Sequence, residues 1–477
     1  MSTTTIAWIA LPFFVGFVAY LFPKLDRYLA LCVALVSGTY ALLLFVTSPL
    51  SLQLLDSFGV TLLVDRLSGY FILTNALVTA AVILYCWRSG KTAFFYAQII
   101  ILHGSLNAAF VCADFISLYV ALEVIGIAAF LLIAYPRSDR SIWVGLRYLF
   151  VSNTAMLFYL VGAVLVYQVH HSFAFAGLRG APIEALALIF LGLLTKGGVF
   201  VSGLWLPLTH SESATPVSAM LSGIVVKAGI FPIVRCALMF DEVDAIVRIF
   251  GVGAALLGVF YAIWEQDNKR TLALSTISQL GWILAAPEVG GFYALAHGLV
   301  KSALFLSVGT LPSRNIKELQ HQPIGTAIWI VLVVGSLSIS GFPLLVGFGA
   351  KMSTLNNVLP WQTIAMNVAA IGTATAYARF IFLPHQRQER QQEVNYGFWV
   401  AVTLLIGALV VTNVLYYEAY TVANMVKAIA IVGVGWLAYL TIFRRTVLRL
   451  PRMLEQFEHL IGVMSLMLIL LFWMAWA

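Results

Sequence analysis

The chain of 477 residues is 61% hydrophobic and only 10% charged, with a mean hydropathy of +0.96. Soluble domains carry about 25% charged residues, so a soluble globular or disordered protein is excluded. The formal net charge is +7.

A transmembrane helix needs about 20 predominantly apolar residues. In chain order, spans are predicted near 4–22, 27–46, 64–86, 94–112, 114–134, 143–168, 184–205 and 215–239. Further spans follow near 243–264, 271–286, 290–311, 324–359, 362–384, 396–416, 420–443 and 457–477, with 324–359 broken. This makes about 16 spans, and a helical bundle is the architecture that satisfies their backbones in lipid. Segment 47–63 is too polar and turn-rich to span, and its alternation predicts a small surface hairpin. The first apolar stretch runs straight into the second, so it reads as a helix rather than a leader. The gaps leave no room for a nucleotide domain, and no Walker A or GxGxxG motif occurs. The cysteines Cys32, Cys86, Cys112 and Cys236 are scattered, without a CxxC pair, so a disulfide scaffold or Cys-ligated cluster loses support.

The basic residues fall in alternate loops: Lys24, Arg27, Arg88, Lys91, Arg137, Arg140, Lys269, Arg270, Arg314, Lys317, Arg387, Arg390, Arg444, Arg445, Arg449 and Arg452. The opposite loops offer little beyond Arg179, with Arg66, Arg235 and Arg248 at span edges. The positive-inside rule puts those sixteen in the cytoplasm and both termini outside. The charge excess therefore sets topology, and nucleic acid is no partner.

A charge at the bilayer centre costs about 2.5–3.5 kcal/mol on insertion scales. Five ionisable residues lie near mid-span: Glu123, Lys196, Lys227, Lys301 and Lys351. Ion-pair glue would need balanced partners, yet four lysines face one carboxylate. A desolvated lysine exchanges its proton more readily, so a row of them with a carboxylate reads as a proton relay. Glycine and proline breaks strengthen this. Lys196 runs into Gly197, Gly198 and Pro207, and Lys351 follows Gly341, Pro343, Gly347 and Gly349. Broken helices in two halves of a transporter mark an ion site. His297 precedes Lys301 by one turn and shares its face. His210 follows the first break, and mid-span His103 reads equally as relay member or core histidine. His170, His171, His321, His385 and His459 belong to solvated ends. Ser275, Thr276, Ser278 and Gln279 read either as water-holding groups or as polar glue. Lys427 is read as structural, and Arg379 as snorkelling toward 385–393.

These residues carry a resemblance. The stretch 194–235 resembles the central signature of the antiporter-like membrane subunits found in complex I, membrane-bound hydrogenases and Mrp-type cation/proton antiporters. Its matching positions are Lys196, Trp205–Pro207, His210, Pro216–Gly223, Lys227, Gly229 and Arg235. Segment 267–284 resembles the family's Asp-x-Lys-Arg helix, and 297–309 its His-x-x-x-Lys helix. Glu123 matches a family glutamate, and Arg147 stands where the family usually has lysine. The likeness covers roughly 60–385. It implies an all-α bundle of about 14 core helices, as long apolar spans require. It also implies two inverted five-helix repeats, 94–239 and 243–384, followed by accessory helices over 396–477. A chain of Glu123, Lys196, Lys227, Lys301 and Lys351 would move protons. The resemblance implies no cofactor or metal in this subunit, and other membrane subunits, protons, Na+ and lipid as partners. Lys351 departs from the complex I branch that has glutamate there, which leaves the Mrp D-type and complex I N-type subunits. The D-type of a plasma-membrane Na+/proton antiporter is favoured over a redox-driven pump.

Overall fold

Several helices start where short polar side chains cap free N–H groups. Asp65 accepts from Ser68 N (2.9 Å), Asp114 from Ser117 N (2.7 Å), Ser138 from Ser141 N (3.1 Å) and Asp267 from Arg270 N (3.0 Å). The computed structural model describes residues 2–56, 58–387, 395–446, 448 and 450–476. Of the loop cations, Arg390 and Arg449 lie outside these.

The helices are α1 (Ser2–Leu21), α2 (Asp26–Leu43), α3 (Arg66–Cys86), α4 (Ala93–Ala109), α5 (Phe115–Ile133), α6 (Asp139–His170) and α7 (Ile183–Gly197). The next are α8 (Leu206–Glu212), α9 (Thr215–Met220), α10 (Lys227–Ala237), α11 (Asp241–Trp264), α12 (Asn268–Ala285) and α13 (Pro287–Val308). The last are α14 (Ile316–Leu319), α15 (Thr326–Ser340), α16 (Val346–Asn357), α17 (Thr363–Ile381), α18 (Tyr396–Leu415), α19 (Val422–Ala438) and α20 (Phe457–Trp476). Among the described residues, thirteen segments are long and apolar enough to cross a membrane. The 17-residue α4, the more polar α12 and the broken pair α15–α16 complete the sixteen segments expected.

The predicted surface hairpin is present: β1 (Leu50–Gln53) pairs antiparallel with β2 (Thr61–Val64), in register Leu50↔Val64. A two-residue parallel pair joins β3 (Ile324–Gly325) to β4 (His385–Gln386).

The bundle centre is α3, α9, α10, α12 and α13, where every residue of α10 and α12 is buried. Around it, α1, α2 and α4 pack together, α18 covers α3 and α13, α19 lies on α17, and α20 lies on α7. Close approach of α11 and α12 is permitted by glycine: a Cβ at Gly251 would stand 2.8 Å from Ala285 N.

Both predicted breaks are helix ends closed by a left-handed glycine. Gly198 (φ +69°) ends α7, and Val199 N bonds back to Leu194 O at 2.9 Å. Gly341 (φ +82°) ends α15, and Phe342 N bonds back to Leu337 O at 3.0 Å. The six-to-one bond is the Schellman pattern, which glycine adopts without a Cβ penalty. A 3-10 stretch, Phe200–Trp205, links α7 to α8, and a π-helical turn, Leu221–Val225, joins α9 to α10.

Candidate functional site

Lys196 occupies the last turn of α7, against α5 and α6. Its Nζ donates to Ser152 Oγ at 2.5 Å, and a Cβ on Gly126 would come within 3.1 Å of it. Gly126 is three residues past Glu123, so the ammonium sits one turn along α5 from the carboxylate. The two groups are electrostatically coupled, but no ion pair within 4.0 Å joins them. Ser152 Oγ, rather than the Glu123 carboxylate, accepts the hydrogen bond from Lys196 Nζ. Glu123 Oε1 is buried with no hydrogen-bond partner, and Tyr119 and Tyr148 lie within its electrostatic reach.

Lys227 opens α10, just after the π-helical turn. Its Nζ donates to Gly223 O at 2.5 Å and Ser222 O at 3.3 Å. It lies against α13 beside Gly298, whose missing Cβ makes room for Gly223 O, 2.8 Å from where that atom would stand. Lys227, His297 and Lys301 lie within electrostatic reach of one another. Lys301 Nζ donates to three neutral oxygens: Leu272 O (2.6 Å), Ser275 Oγ (2.6 Å) and Tyr377 Oη (2.8 Å). Ser275 and Tyr377 share a further hydrogen bond of 2.6 Å. Between Lys227 and Lys301 stands a hydroxyl pair, Ser222 Oγ and Thr276 Oγ1, 2.7 Å apart. Thr276 also donates to Leu272 O, the carbonyl that Lys301 uses.

Lys351, on α16, donates to Ile339 O at 2.9 Å and lies 4.8 Å from the centre of the Trp282 ring. Between it and α13 is a cavity of about 10 Å³, lined by Gln279, Tyr293, His297, Ser338, Ile339 and Ala350 among others. That is room for about one water. Both ring nitrogens of His297 and the Ser338 hydroxyl are buried without partners, and Tyr293 donates to Gln279 Oε1 at 2.6 Å. The four lysines are all at most 5% exposed, so none points to lipid. Each direct bond is nonetheless local, and no lysine bonds the next. The interval from Lys196 to Lys227 is a backbone contact, where a Cβ on Gly229 would stand 2.7 Å from Gly197 Cα.

His210, on α8, is buried beside the Trp205 and Phe305 rings and within electrostatic reach of Lys301 and Lys269. His103 is elsewhere. Ser37 Oγ accepts from Trp8 Nε1 (3.2 Å) and Asn107 Nδ2 (3.0 Å), so its own hydrogen goes to His103 Nε2 (2.8 Å). Nδ1 then donates to Thr79 Oγ1 (3.1 Å), which donates to Asn75 Oδ1 (3.3 Å). The circuit is closed within α1–α4 and uses a neutral imidazole, the core-histidine alternative rather than a member of the lysine row.

Other sequence readings change in detail. Arg379 turns to α11 rather than to His385–Arg387: its guanidinium donates to the carbonyls of Ile263 and Glu265 at the end of that helix, where cations are favoured; 388–393 lie outside the described residues. Lys269 and Arg270, counted as loop cations, are buried in the first turn of α12. Lys269 donates to Ser213 O at 3.0 Å, and Arg270 pairs with Glu265 and Glu455. Lys427 is half-buried, without an ion pair among the described residues. Outside the spans, burial pushes the Glu265 carboxyl up, but Arg270 and Arg452 outweigh it and hold the group below its ordinary value. Asp65 behaves alike: Arg235, at 2.7 Å, outweighs burial.

Among the described residues, no group of three or more His, Cys, Asp or Glu is placed to hold a metal ion. Sequence reasoning missed Ser152, Tyr377 and Trp282, and gave Ser222 no role of its own. Ser222 lies inside the matched stretch Pro216–Gly223 and Trp282 inside the matched segment 267–284, which were the available signals; Ser152 and Tyr377 lie in unremarkable helical stretches.

A family profile described as "NADH:quinone oxidoreductase/Mrp antiporter, TM" matches residues 112–376. The chain is 30% identical over 362 residues to NADH-quinone oxidoreductase subunit N of Desulforudis audaxviator, covering 68% of this chain and 72% of that protein. It is 23% identical over 468 residues to the D-type subunit of the Na(+)/H(+) antiporter of Alkalihalophilus pseudofirmus, covering 88% and 94%. Its fold matches a chain of the membrane-bound sulfane sulfur reductase, an archaeal respiratory membrane complex, with TM-score 0.77 at 21% identity over 92% of this chain and 99% of that one. It also matches a chain of the Mrp complex from Dietzia sp. DQ12-45-1b, with TM-score 0.73 at 24% identity over 98% and 55%. The chain belongs to the NADH:quinone oxidoreductase/Mrp antiporter membrane family, and it is a multi-pass membrane protein.

Proposed function

We propose that the chain is a proton-translocating subunit of a multisubunit Mrp-type antiporter that exchanges a monovalent cation, Na+, for protons. The observation that carries this reading is the lysine row. Lys196, Lys227, Lys301 and Lys351 are buried in one bundle, and each ammonium is held by neutral oxygens rather than by a carboxylate. Such a group is stable enough to occupy and free enough to release its proton. Thr276, Ser222 and the small cavity beside His297 supply polar atoms for the intervals from Lys227 to Lys351. The interval from Lys196 to Lys227 requires movement at the α7 break. We read 94–239 and 243–384 as inverted repeats, each with one helix ended by a left-handed glycine. The D-type assignment is supported by correspondence along 94% of the Na(+)/H(+) antiporter D-type relative.

A second reading has its own support: the 30% identity to a subunit N favours a redox-driven pump. Reconstitution of the assembly in liposomes separates the two. Proton movement driven by an imposed Na+ gradient, with no electron donor, is expected. Proton movement that needs a quinone or other electron acceptor and ignores Na+ would replace the antiporter by the pump.

A further inference from the structure

We propose that the cavity between the α13–α15 connection and the start of α18 binds an anionic phospholipid of the inner leaflet. It holds about 730 Å³ and is lined by Thr310, Gln322, Ile328, Ile330, Arg387 and Trp399 among others. Its floor is built rather than accidental. Ile324 and Gly325 pair with His385 and Gln386, the Trp329 ring stacks on His385 at 3.7 Å, and Trp329 Nε1 donates to Ile381 O at 3.1 Å. These contacts fix Arg387 beside the first turns of α15.

The occupant follows from chemistry and depth. Among the described residues lining the cavity, Arg387 is the one ionisable side chain, and it has no ion pair there or elsewhere among them. The connection 309–325 and residues 382–387 are on the side that the basic loops place in the cytoplasm. That leaflet carries anionic lipid, which attracts each surface Lys or Arg by about 1 kcal/mol. One turn deeper, Ile328 and Ile330 give an apolar wall, with Ile330 49% exposed. Trp399 sits in the first turn of α18, at interfacial depth, where tryptophan is favoured. A free phosphate would meet one cation and leave this wall unfilled; a phospholipid places its phosphate at Arg387 and its chains along Ile328 and Ile330. The inference is independent of which ion the chain moves.

The test uses the intact assembly in detergent, with native mass spectrometry and a photoreactive phosphatidylglycerol. Retention of phosphatidylglycerol over phosphatidylcholine is expected, with crosslinks at 326–330. Arg387→Gln is expected to weaken retention about fivefold, the equivalent of ~1 kcal/mol, and Arg387→Lys to preserve it. Ala327→Trp, which fills the groove without touching charge, is expected to abolish the crosslinks. Equal retention of the two lipids, unchanged retention in Arg387→Gln, competition by millimolar inorganic phosphate alone, or crosslinks confined to a co-purifying subunit would each overturn the assignment.

Discussion

Replacing Tyr377 with Phe removes one oxygen from the cradle of Lys301 and little else. The ring is fully buried, and its packing beside Phe380, at 6.0 Å, is retained. Lys301 is likewise fully buried and spends its three hydrogens on Leu272 O, Ser275 Oγ and Tyr377 Oη. Loss of Oη leaves a buried ammonium hydrogen without an acceptor, which costs about 1–3 kcal/mol. That corresponds to a drop in proton flux of roughly 5- to 140-fold at fixed driving force. The assay is dye-reported proton movement into liposomes containing the reconstituted assembly, beside a thermal melt of the same sample. Flux should fall with the subunit content as in the parent and the melt lowered by no more than a few degrees. Ser275→Ala supplies the second arm. Because Ser275 and Tyr377 bond each other at 2.6 Å, the two changes act on one unit and should combine less than additively. Unchanged flux in Tyr377→Phe, or strict additivity with Ser275→Ala, would show that the cradle does not govern Lys301.

Glu123→Gln should abolish flux in an assembled complex, with Glu123→Asp milder; normal flux in the Gln variant removes the carboxylate from the relay. Lys227→Ala should stop cation-dependent flux, and Lys227→Arg should impair it because Arg keeps its proton; full activity of the Arg variant would make Lys227 a fixed charge. A cysteine at Leu448, which is 47% exposed, should resist impermeant labelling from outside intact cells; ready labelling would invert the topology. For pH, Glu265 and Asp65 are held below their ordinary values of 4.5 and 3.8 by their arginines, against burial. The unfolded chain therefore takes up these protons first, so their contribution is complete above about pH 5 and is lost as pH falls through the lower folded values. Melting temperature in detergent should be flat from about pH 5 to 7 and fall below about pH 4, and Asp65→Asn should make that fall shallower; an unchanged acid profile in Asp65→Asn would sink the Asp65 part.

The sixteen segments were legible because lipid demands apolar length, and the demand is written residue by residue. The five ionisable mid-span residues were legible for the same reason, since each is costly and therefore conspicuous. The hairpin at 50–64 showed through its alternation, and both breaks through their glycines. Side-chain direction was not legible. Arg379 lies near its helix end and could have reached toward either of two neighbours; packing of α17 on α11 chose the α11 carbonyls. His103 and His297 look alike in sequence, but one sits in a closed hydrogen-bond circuit and the other beside an orphaned serine. Tyr377 and Ser152 are ordinary polar residues in membrane helices, and only tertiary contact distinguishes them.

The irregular helices explain how two of the four lysines, Lys227 and Lys351, are held without counter-charges. A regular helix consumes its carbonyls in i to i+4 bonds and offers few to a side chain. At the π-helical turn, Val226 N bonds back five residues to Leu221 O, and the neighbouring carbonyls of Ser222 and Gly223 turn to Lys227. At the second break, Gly341 and Phe342 take up Leu337 and Ser338, and the next carbonyl, Ile339, is left for Lys351. A carboxylate in either place would bind the ammonium as an ion pair and cost several kcal/mol to separate. A carbonyl solvates the charge without neutralising it. The π-helical turn and the second break thus furnish neutral backbone dipoles to the buried Lys227 and Lys351.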